Sequence, residues 1–340
     1  MILALADIHL KESIGYSDLI PDGRLAERKE ILDFIVKQAD DCETIIIAGD
    51  SFDKRNNPSE IVRLFVEFIE RYGKKRVIIT KGNHEQMNNG KSAIDFLKEI
   101  KNKLNWTIAT DKIFTTTIES RKMVFCPYFS NAELGVSSNK EGTKKLLKML
   151  PDGDVLFIHH AISDIKLSSG QSTNLFDEVV LPKKILLEKY KLVVGSHIHV
   201  PYQKDNLVVL GSIFNNEVNE TGKFIWKINN KLEVEKIALP GRKIYGLENT
   251  TIEDLDKIKK SSIVKVTLTD LKYKNNIEEL REKLKEFDAH VLIEQYPHER
   301  KKLHFDEGML EFDVEKLLSQ YASTRKINLN VLQRAWQLIK

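Results

Sequence analysis

The sequence predicts an α/β (α+β) fold, a sandwich of mixed β-sheets flanked by helices, followed by a small βαβ cap and C-terminal helices. Residues 1–240 alternate short apolar runs with amphipathic segments, the pattern of strands that alternate with helices. The later part of this region becomes β-rich, and the composition shifts after Pro240-Gly241. With 340 residues, 41% of them hydrophobic, the chain can bury the core of one large domain and a smaller one.

Two amphipathic helices are predicted between the first strands. Residues 25–39 place four apolar side chains on one face: Ile31, Leu32, Ile35 and Ala39. A second helix begins at Pro58 and Ser59 and ends near Gly73. Its apolar face carries Ile61, Leu64, Phe65, Phe68 and Ile69. The strand 76–80 follows, so this part of the chain is a predicted βαβ unit.

The β-rich part contains three predicted strands, at residues 207–210, 223–228 and 232–237. Asn229-Asn230 is the predicted hairpin turn between the last two, because asparagine tolerates the backbone conformations that tight turns require. These strands complete the predicted first domain, residues 1–240.

Residues 245–297 are predicted to form the cap domain. Residues 263–269 alternate apolar and polar side chains, as in a half-buried strand, and residues 290–294 form a second strand. The helix between them has one apolar face: Ile277, Leu280, Leu284 and Phe287. Residues 305–340 are a predicted helical segment for partner binding, which ends in an apolar stripe of Val331, Leu332, Ala335, Trp336 and Ile339. That stripe either packs on the chain itself or binds a partner.

Charge and cysteine content narrow the class of protein. A net charge of +3 neither identifies a nucleic-acid partner nor repels one. Cys42 and Cys126 lack a metal or redox spacing and are predicted core residues. We expect a cytoplasmic protein without membrane association, because no signal peptide or spanning segment is apparent.

Seven side chains of metal-binding type follow apolar runs typical of buried strands. They are Asp7, His9, Asp50, Asn83, His159, His197 and His199. In an open α/β sheet, side chains from several strands converge where the carboxyl ends of the strands meet. The spacing of two residues within Asp-x-His and within His-x-His places each pair on one side of its strand end. The sequence therefore predicts a metal site at this edge.

The residue types favour a two-metal phosphoesterase. Two-metal phosphoryl transfer requires an anionic ligand between the cations, and Asp50 is the predicted bridge. Nitrogen and oxygen ligands without thiolate favour Mn²⁺, with Mg²⁺, Fe and Zn²⁺ as alternatives. His84 follows Asn83 directly and is the predicted catalytic residue, because a protonated imidazole there would help the leaving oxygen depart. Asp53 is predicted to orient His84.

Each motif has a simpler interpretation. A single histidine after a strand is more often a hydrogen-bonded core residue than a ligand. Six of the nine histidines, however, lie within these motifs and before residue 200, which packing alone does not explain. In the doublet His159-His160 only one residue is expected to be a ligand, and side-chain alternation favours His159. Gly49 and Gly82 are compatible with tight turns.

The motifs DIH, GDSFD, GNHE, HHA and GSHIH, in this order, resemble the signature of the calcineurin-like metallophosphoesterases across residues 1–215. The resemblance implies a four-layer sandwich. It also implies that one metal is held by Asp7, His9, Asp50 and His199. The second metal would be held by Asp50, Asn83, His159 and His197, with His84 catalytic. The family more commonly has Gly-His-x-His, whereas here Ser196 lies between Gly195 and His197, which removes no ligand.

Within this superfamily the chain is similar to the SbcD-type nuclease subunits, including those that phages encode. The resemblance rests on the chain length, the first motif at the N-terminus, GDSFD, and LGSIFNNE after GSHIH. It implies a Mn²⁺-dependent exonuclease and endonuclease that acts on double-stranded or hairpin DNA ends in repair and recombination. It also implies an SbcC-like SMC-family ATPase partner and a homodimer.

Five cations near the motifs are candidate DNA contacts: Lys54, Arg55, Lys81, Lys91 and Arg121. Ordinary solvated charge is an equally good interpretation of each. Two other functions remain open for the whole chain. One is hydrolysis of a small molecule or cyclic nucleotide in a pocket closed by the cap, and the other is a non-catalytic scaffold, which the intact ligand set disfavours.

Overall fold

The computed structural model describes residues 1–87, 90–100, 105–166, 171–218, 220, 222–296, 318–319, 321–323 and 328–339, with the helical side chains after Arg334 outside the description. The chain divides into two units, Met1–Gln295 and Tyr296–Lys340.

The first unit contains most of the strands and helices. Its strands are β1 Ile2–Leu5, β2 Thr44–Ala48, β3 Arg76–Thr80, β4 Trp106–Ala109, β5 Phe114–Ile118, β6 Arg121–Cys126, β7 Val155–Ile158, β8 Ala161–Ile162, β9 Val180–Leu181, β10 Leu192–Gly195, β11 Tyr202–Lys204, β12 Leu207–Val209, β13 Phe224–Ile228, β14 Val234–Ala238, β15 Ile244–Glu248, β16 Ile263–Leu268 and β17 Ala289–Glu294. Its helices are α1 Leu25–Gln38, α2 Ser59–Glu70, α3 Leu97–Ile100, α4 Asn131–Leu134, α5 Asn139–Met149, α6 Lys183–Lys189, α7 Ile252–Asp256 and α8 Ile277–Leu284.

Two six-stranded sheets form the centre of this unit. The first has the order β14-β13-β1-β2-β3-β4, in which β1 to β4 are parallel and β13 is antiparallel both to β1 and to β14. The second has the order β11-β12-β10-β7-β6-β5, in which β6, β7, β10 and β12 are parallel. Both sheets are therefore mixed, as the sequence predicts.

Side-chain alternation explains why the two sheets stack. Leu3 and Leu5 of β1 point to a core shared with α1 and α2, whereas Ile2 and Ala4 point to a core shared with the second sheet. On the far side of the second sheet, Leu156 and Ile158 pack in a core that includes residues of α4, α5 and α6. Central strands such as β1, β7 and β10 are buried on both faces, which is why they are continuous apolar runs. The predicted sandwich of sheets flanked by helices is confirmed.

The predicted helices and strands of this sandwich correspond closely to the observed ones. The helix predicted at residues 25–39 is α1, and the helix predicted from Ser59 is α2. Within α2, Ile61 and Phe65 are buried, whereas Leu64 is only partly covered. The hairpin predicted around Asn229-Asn230 joins β13 to β14.

The cap contains one more strand than the sequence analysis predicts. β16, α8 and β17 match the predicted βαβ unit, but β15 adds a third parallel strand and α7 connects it to β16. β15 lacks the alternating pattern because its side chains are mostly half-buried and Gly246 interrupts it. Ile244 and Ile263 of this sheet pack with Ile20. The domain boundaries remain predictions.

A buried ion pair connects three segments of the first unit. The Arg24 guanidinium donates to Glu27 at 2.8 and 2.7 Å and to the backbone oxygens of Gly15 and Asn215 at 2.6 and 2.9 Å. Glu27 also accepts two hydrogen bonds from Arg242, at the start of the cap. Burial raises the pKa of Glu27, but the bonds to the two arginines outweigh it, so the pKa is lowered.

The second unit contains α9, Leu329–Ile339. Val331 is 59% exposed and Leu332 is half-buried, whereas the side chains of Ala335, Trp336 and Ile339 lie outside the described residues. Within the described ranges, no helix combines the length and the apolar character that a membrane crossing needs.

Replacing Glu27 with Ala should lower the free energy of unfolding by about 3–5 kcal/mol, because the buried Arg24 guanidinium would lose its carboxylate partner. Glu30→Ala, on the exposed side of the same helix, is the matched control and should change stability by about 0.5 kcal/mol or less. Urea unfolding measures both variants. Equal, small losses would show that this ion pair does not support the fold.

Candidate metal centre

The sequence-predicted ligands come together at one edge of the sandwich. Asp7, Asp50 and Asn83 follow β1, β2 and β3, which are neighbours in the first sheet. His159 and His197 follow β7 and β10, which are neighbours in the second sheet. Because the two sheets stack, the carboxyl ends of these strands deliver side chains to a common site.

The backbone leaves the strands in an unusual conformation here. Asp7, His9, Asp50 and His197 have φ angles of 50°, 46°, 49° and 77°, in the left-handed region that is unfavourable for residues with a side chain. The loops after β1 and β2 hold one another, since the amides of Asp7 and His9 donate to Gly49 and Asp50 backbone oxygens at 3.1 and 2.9 Å. Such strain persists only where the surrounding contacts enforce it.

Two glycines leave space for the ligands. A Cβ at Gly49, whose φ is 92°, would lie 2.1 Å from Nδ1 of His159. A Cβ at Gly82 would lie 2.0 Å from Oδ1 of Asp50. The turns that the sequence suggests are therefore also places of close approach between backbone and ligand.

The first cluster consists of Asp7, His9 and His199, whose ligand atoms lie within 4.8 Å of one another. The Nε2 atoms of His9 and His199 face each other at 2.9 Å, and His9 Nε2 lies 3.9 Å from Asp7 Oδ1. Burial lowers the pKa of His9 to about 2, so its imidazole is neutral and has a lone pair to donate.

The second cluster consists of Asp50, His159 and His197, also within 4.8 Å, together with Asn83. Asn83 Oδ1 lies 3.2 Å from His159 Nε2 and 2.9 Å from His197 Nδ1. These three atoms converge on one point. An amide oxygen and two imidazole nitrogens are a donor set for a divalent transition metal.

Asp50 lies between the two clusters. Its Oδ2 is 3.7 Å from His9 Nε2 and 3.2 Å from His159 Nε2, and its Oδ1 accepts the His84 amide at 2.9 Å. Burial raises the pKa of this carboxyl, but the neighbouring imidazoles, His159 first, lower it by more, so Asp50 is ionised. The position between the clusters is the one that a bridging anion requires.

The two histidines of the doublet have different surroundings. His159 reaches the cluster and its Nδ1 faces the Ala48 oxygen at 2.8 Å. His160 points away, and its Nε2 accepts the Phe129 amide at 3.1 Å while its ring stacks on Tyr128. The choice of His159 over His160 therefore agrees with the geometry.

His84 lies at the accessible side of the site, next to His9 at a ring-centroid distance of 4.6 Å. Its Nδ1 lies 2.8 Å from the backbone oxygen of Asp53. A carbonyl oxygen only accepts hydrogen bonds, so Nδ1 carries the proton and Nε2 is directed elsewhere.

Asp53 contacts His84 through its backbone oxygen, which agrees with the predicted role of orienting His84. Its carboxylate has other partners. Oδ1 of Asp53 accepts a hydrogen bond from Lys11 at 3.0 Å and lies 3.6 Å from Nδ1 of His9.

Three supporting residues have no signal in the sequence analysis. Glu85 is buried and accepts the amides of Ser51 at 2.6 Å, Phe52 at 3.2 Å and Gly82 at 2.9 Å. Burial and the charge of Asp50 raise the pKa of Glu85 to about 7. The Glu85 side chain thus joins the loops after β2 and β3. In the sequence, only its position in the GNHE motif connects Glu85 with the site.

The other two supporting residues contact histidines. Ser196 donates to the Ala48 oxygen at 2.5 Å and lies 2.9 Å from His159 Nδ1. Glu178 Oε1 lies 2.8 Å from His197 Nε2. Glu178 comes from the loop before β9, and no local motif marks it.

The candidate DNA cations have different positions. Lys54 and Arg55 are exposed on the wall of a groove beside His84, and Lys91 is exposed in the loop after it. Lys81 is a wrong prediction, because its ammonium is buried and pairs with Glu133 at 2.7 Å. Arg121 is also a wrong prediction. It is the first residue of β6, so it lies about 17 Å from the carboxyl end of that strand, at ~3.3 Å per residue.

The donor set fits two divalent cations. It combines carboxylate and amide oxygens with imidazole nitrogens, and no thiolate lies among the clustered ligands of the described residues. The contacts of His9 with His199 and of Asn83 with His197, at 2.9 Å each, bring ligand atoms close enough to share a cation. All seven sequence-predicted ligands are brought together here.

Comparison with known proteins gives a family and a distant structural similarity. No curated protein sequence is significantly similar to the chain. A crystal structure described as a 5'-nucleotidase from Staphylococcus aureus, in complex with α-ketoglutarate, is 13% identical, with a TM-score of 0.39. The match covers 70% of this chain and 52% of that protein, so this chain spans about half of its length. The sequence profile described as calcineurin-like phosphoesterase matches residues 1–201, which carry all the clustered ligands. The chain belongs to the calcineurin-like phosphoesterase family.

Proposed function

We propose that this phosphoesterase is a DNA nuclease subunit of the SbcD type, which hydrolyses phosphodiester bonds at DNA ends and hairpins. Its cofactor is a pair of Mn²⁺ ions, with Mg²⁺, Fe or Zn²⁺ as alternatives, and its partner is an SbcC-like SMC-family ATPase. The observation that carries the proposal is the groove beside His84. It has a volume of about 510 Å³ and is lined by Asp53, Lys54, Arg55, Asn56, Asn83 and His84.

This groove favours a polymeric substrate over a small one. All of its lining residues come from the loops after β2 and β3, and none from the cap. A small-molecule esterase in which the cap closes the pocket would need cap side chains in that lining. The exposed cations Lys54 and Arg55 lie beside His84, where they can neutralise DNA phosphates on either side of the cleaved bond.

The site residues have different roles in hydrolysis. When bound, two divalent cations supply a hydroxide nucleophile and neutralise charge on the phosphate. The first ion would be held by Asp7, His9, Asp50 and His199, and the second by Asp50, Asn83, His159 and His197. Asp50 keeps its negative charge between the two sites, and Asn83 presents its ligand oxygen at the floor of the groove.

His84 is the proposed proton donor to the leaving oxygen. Its Nδ1 proton is directed to the Asp53 backbone oxygen, so Nε2 is the ring nitrogen available to a substrate in the groove. Hydrolysis adds a water oxygen to phosphorus and breaks the P–O bond to the deoxyribose oxygen, which then takes up a proton. An imidazolium at His84 can donate that proton or a hydrogen bond to the developing charge.

The C-terminal helix is the proposed partner-binding element. An isolated helix of this length has only marginal stability in water, so the apolar stripe on α9 needs another surface to pack against. Val331 is exposed, which leaves at least part of the stripe accessible. Docking on the ATPase, with Trp336 as anchor, is our proposal, and a homodimer of nuclease subunits would place two such helices in one complex.

The function is tested with end-labelled duplex DNA and a chromogenic phosphodiester, each with Mn²⁺. We expect DNA cleavage by the unmodified protein and none by Asp50→Ala, which removes the carboxylate between the clusters. Asp152→Ala removes a carboxylate that is 95% exposed and is the matched control. Hydrolysis of the chromogenic ester without DNA cleavage would favour a small-molecule esterase, and absence of bound metal would favour a scaffold.

His84→Ala should retain metal binding and DNA affinity but lose roughly 10²–10⁴ in cleavage rate, the usual contribution of a positioned proton donor. Single-turnover kinetics and metal analysis of the same preparation measure the two properties separately. Loss of metal together with activity would mean that His84 is a ligand, and that our assignment of its role is wrong.

A chain that ends at Arg325 should keep its melting temperature and its nuclease activity but no longer co-purify with the ATPase from the same source. The reason is that, in this proposal, α9 packs on the partner and does not contribute to the core of this chain. A much lower melting temperature would indicate that the stripe packs on the chain itself. Retained complex formation would refute docking through α9.

A further inference from the structure

We infer that Glu178 is a positioning residue for the second metal site, which fixes the orientation and the tautomer of His197. The inference rests on the proposed two-metal centre. Glu178 belongs to none of the ligand motifs and lies 19 positions before His197 in the sequence. It acts through His197 and is not itself one of the clustered ligands.

The contact geometry defines the tautomer. Nε2 of His197 lies 2.8 Å from Oε1 of Glu178, on the far side of the ring from the cluster. A carboxylate oxygen accepts hydrogen bonds, so Nε2 is the nitrogen that carries the proton. The other nitrogen, Nδ1, then presents its lone pair toward Oδ1 of Asn83 at 2.9 Å. This is the state in which imidazole can bind a cation together with Asn83.

His197 needs this support more than His159, its partner in the second cluster. Its φ of 77° places it in a strained turn after β10, and its side chain is partly exposed. His159, in contrast, is buried, and its Nδ1 is fixed by the Ala48 oxygen and Ser196. A ring at the solvent edge can rotate and exchange tautomers unless a hydrogen bond restrains it.

The loop that carries Glu178 is tied to the same edge of the sandwich. Val179, the next residue, is buried in the core of the second sheet. β9 follows at once and pairs with β8, which begins two residues after His159. On the other side, Asp177 accepts a hydrogen bond from Asn139 at the start of α5 at 2.9 Å. The carboxylate of Glu178 is therefore held at a fixed distance from the second cluster.

Two variants and a matched control test the inference in the full chain. Glu178→Ala removes the acceptor, Glu178→Gln keeps an uncharged acceptor of similar shape, and Asp152→Asn, at a carboxylate that is 95% exposed, removes a negative charge away from the site. Calorimetric titration with Mn²⁺ should resolve two sites in the unmodified protein. We expect Glu178→Ala to weaken one of them 10- to 100-fold and leave the other unchanged, with a smaller loss in Glu178→Gln and none in Asp152→Asn.

The tautomer is measured independently in the metal-free protein by ¹⁵N NMR of the histidine rings. The His197 spectrum should indicate a proton on Nε2, and Glu178→Ala should shift it toward a mixture of tautomers. Unchanged metal affinities within twofold and an unchanged His197 tautomer would overturn the inference. If the unmodified protein binds no Mn²⁺, the proposed two-metal function fails, and the NMR result still decides the role of Glu178.

Discussion

The metal centre depends on a buried, ionised carboxylate placed between two groups of imidazoles. Asp50 is 3.7 Å from His9 on one side and 3.2 Å from His159 on the other, and these histidines come from different sheets. A buried carboxylate is stable only with such partners. Its place requires a left-handed backbone at Asp50 and a residue without Cβ at Gly82. The stacking of the two sheets is therefore also what assembles the site.

Buried polar contacts hold the ligand loops around that carboxylate. Glu85 accepts amides from the loops after both β2 and β3, so these two loops cannot move independently. On the opposite side, the buried ammonium of Lys223 donates to Ser212 at 2.6 Å and to Glu220 at 3.0 Å, next to the His199 backbone oxygen. Buried hydrogen bonds between loops restrict the motion of those loops, which keeps the ligands in place.

The sequence predicts those parts of the molecule that a local pattern encodes. Apolar runs followed by Asp, Asn or His indicated the strands β1, β2, β3, β7 and β10, which precede the seven predicted ligands, since burial on both faces makes these runs continuous. Contacts between distant segments leave no such pattern. Lys81 looked like a surface cation, yet it pairs with Glu133, 52 positions away, and Glu178 meets His197 across 19 positions. β15 was missed because its half-buried side chains do not alternate.

The two clusters differ in what fixes their histidines, and this difference has a consequence for the chemistry. His9 is buried and neutral, held among side chains of the strand ends themselves. His197 is partly exposed and depends on a carboxylate from the loop before β9. Asn83, which shares the second cluster, also lines the groove beside His84. His9 of the first cluster also lies next to His84, so both sites border this groove, but the carboxylate that contacts His197 belongs to a loop. Changes in that loop can therefore alter metal binding next to the substrate without unfolding the core.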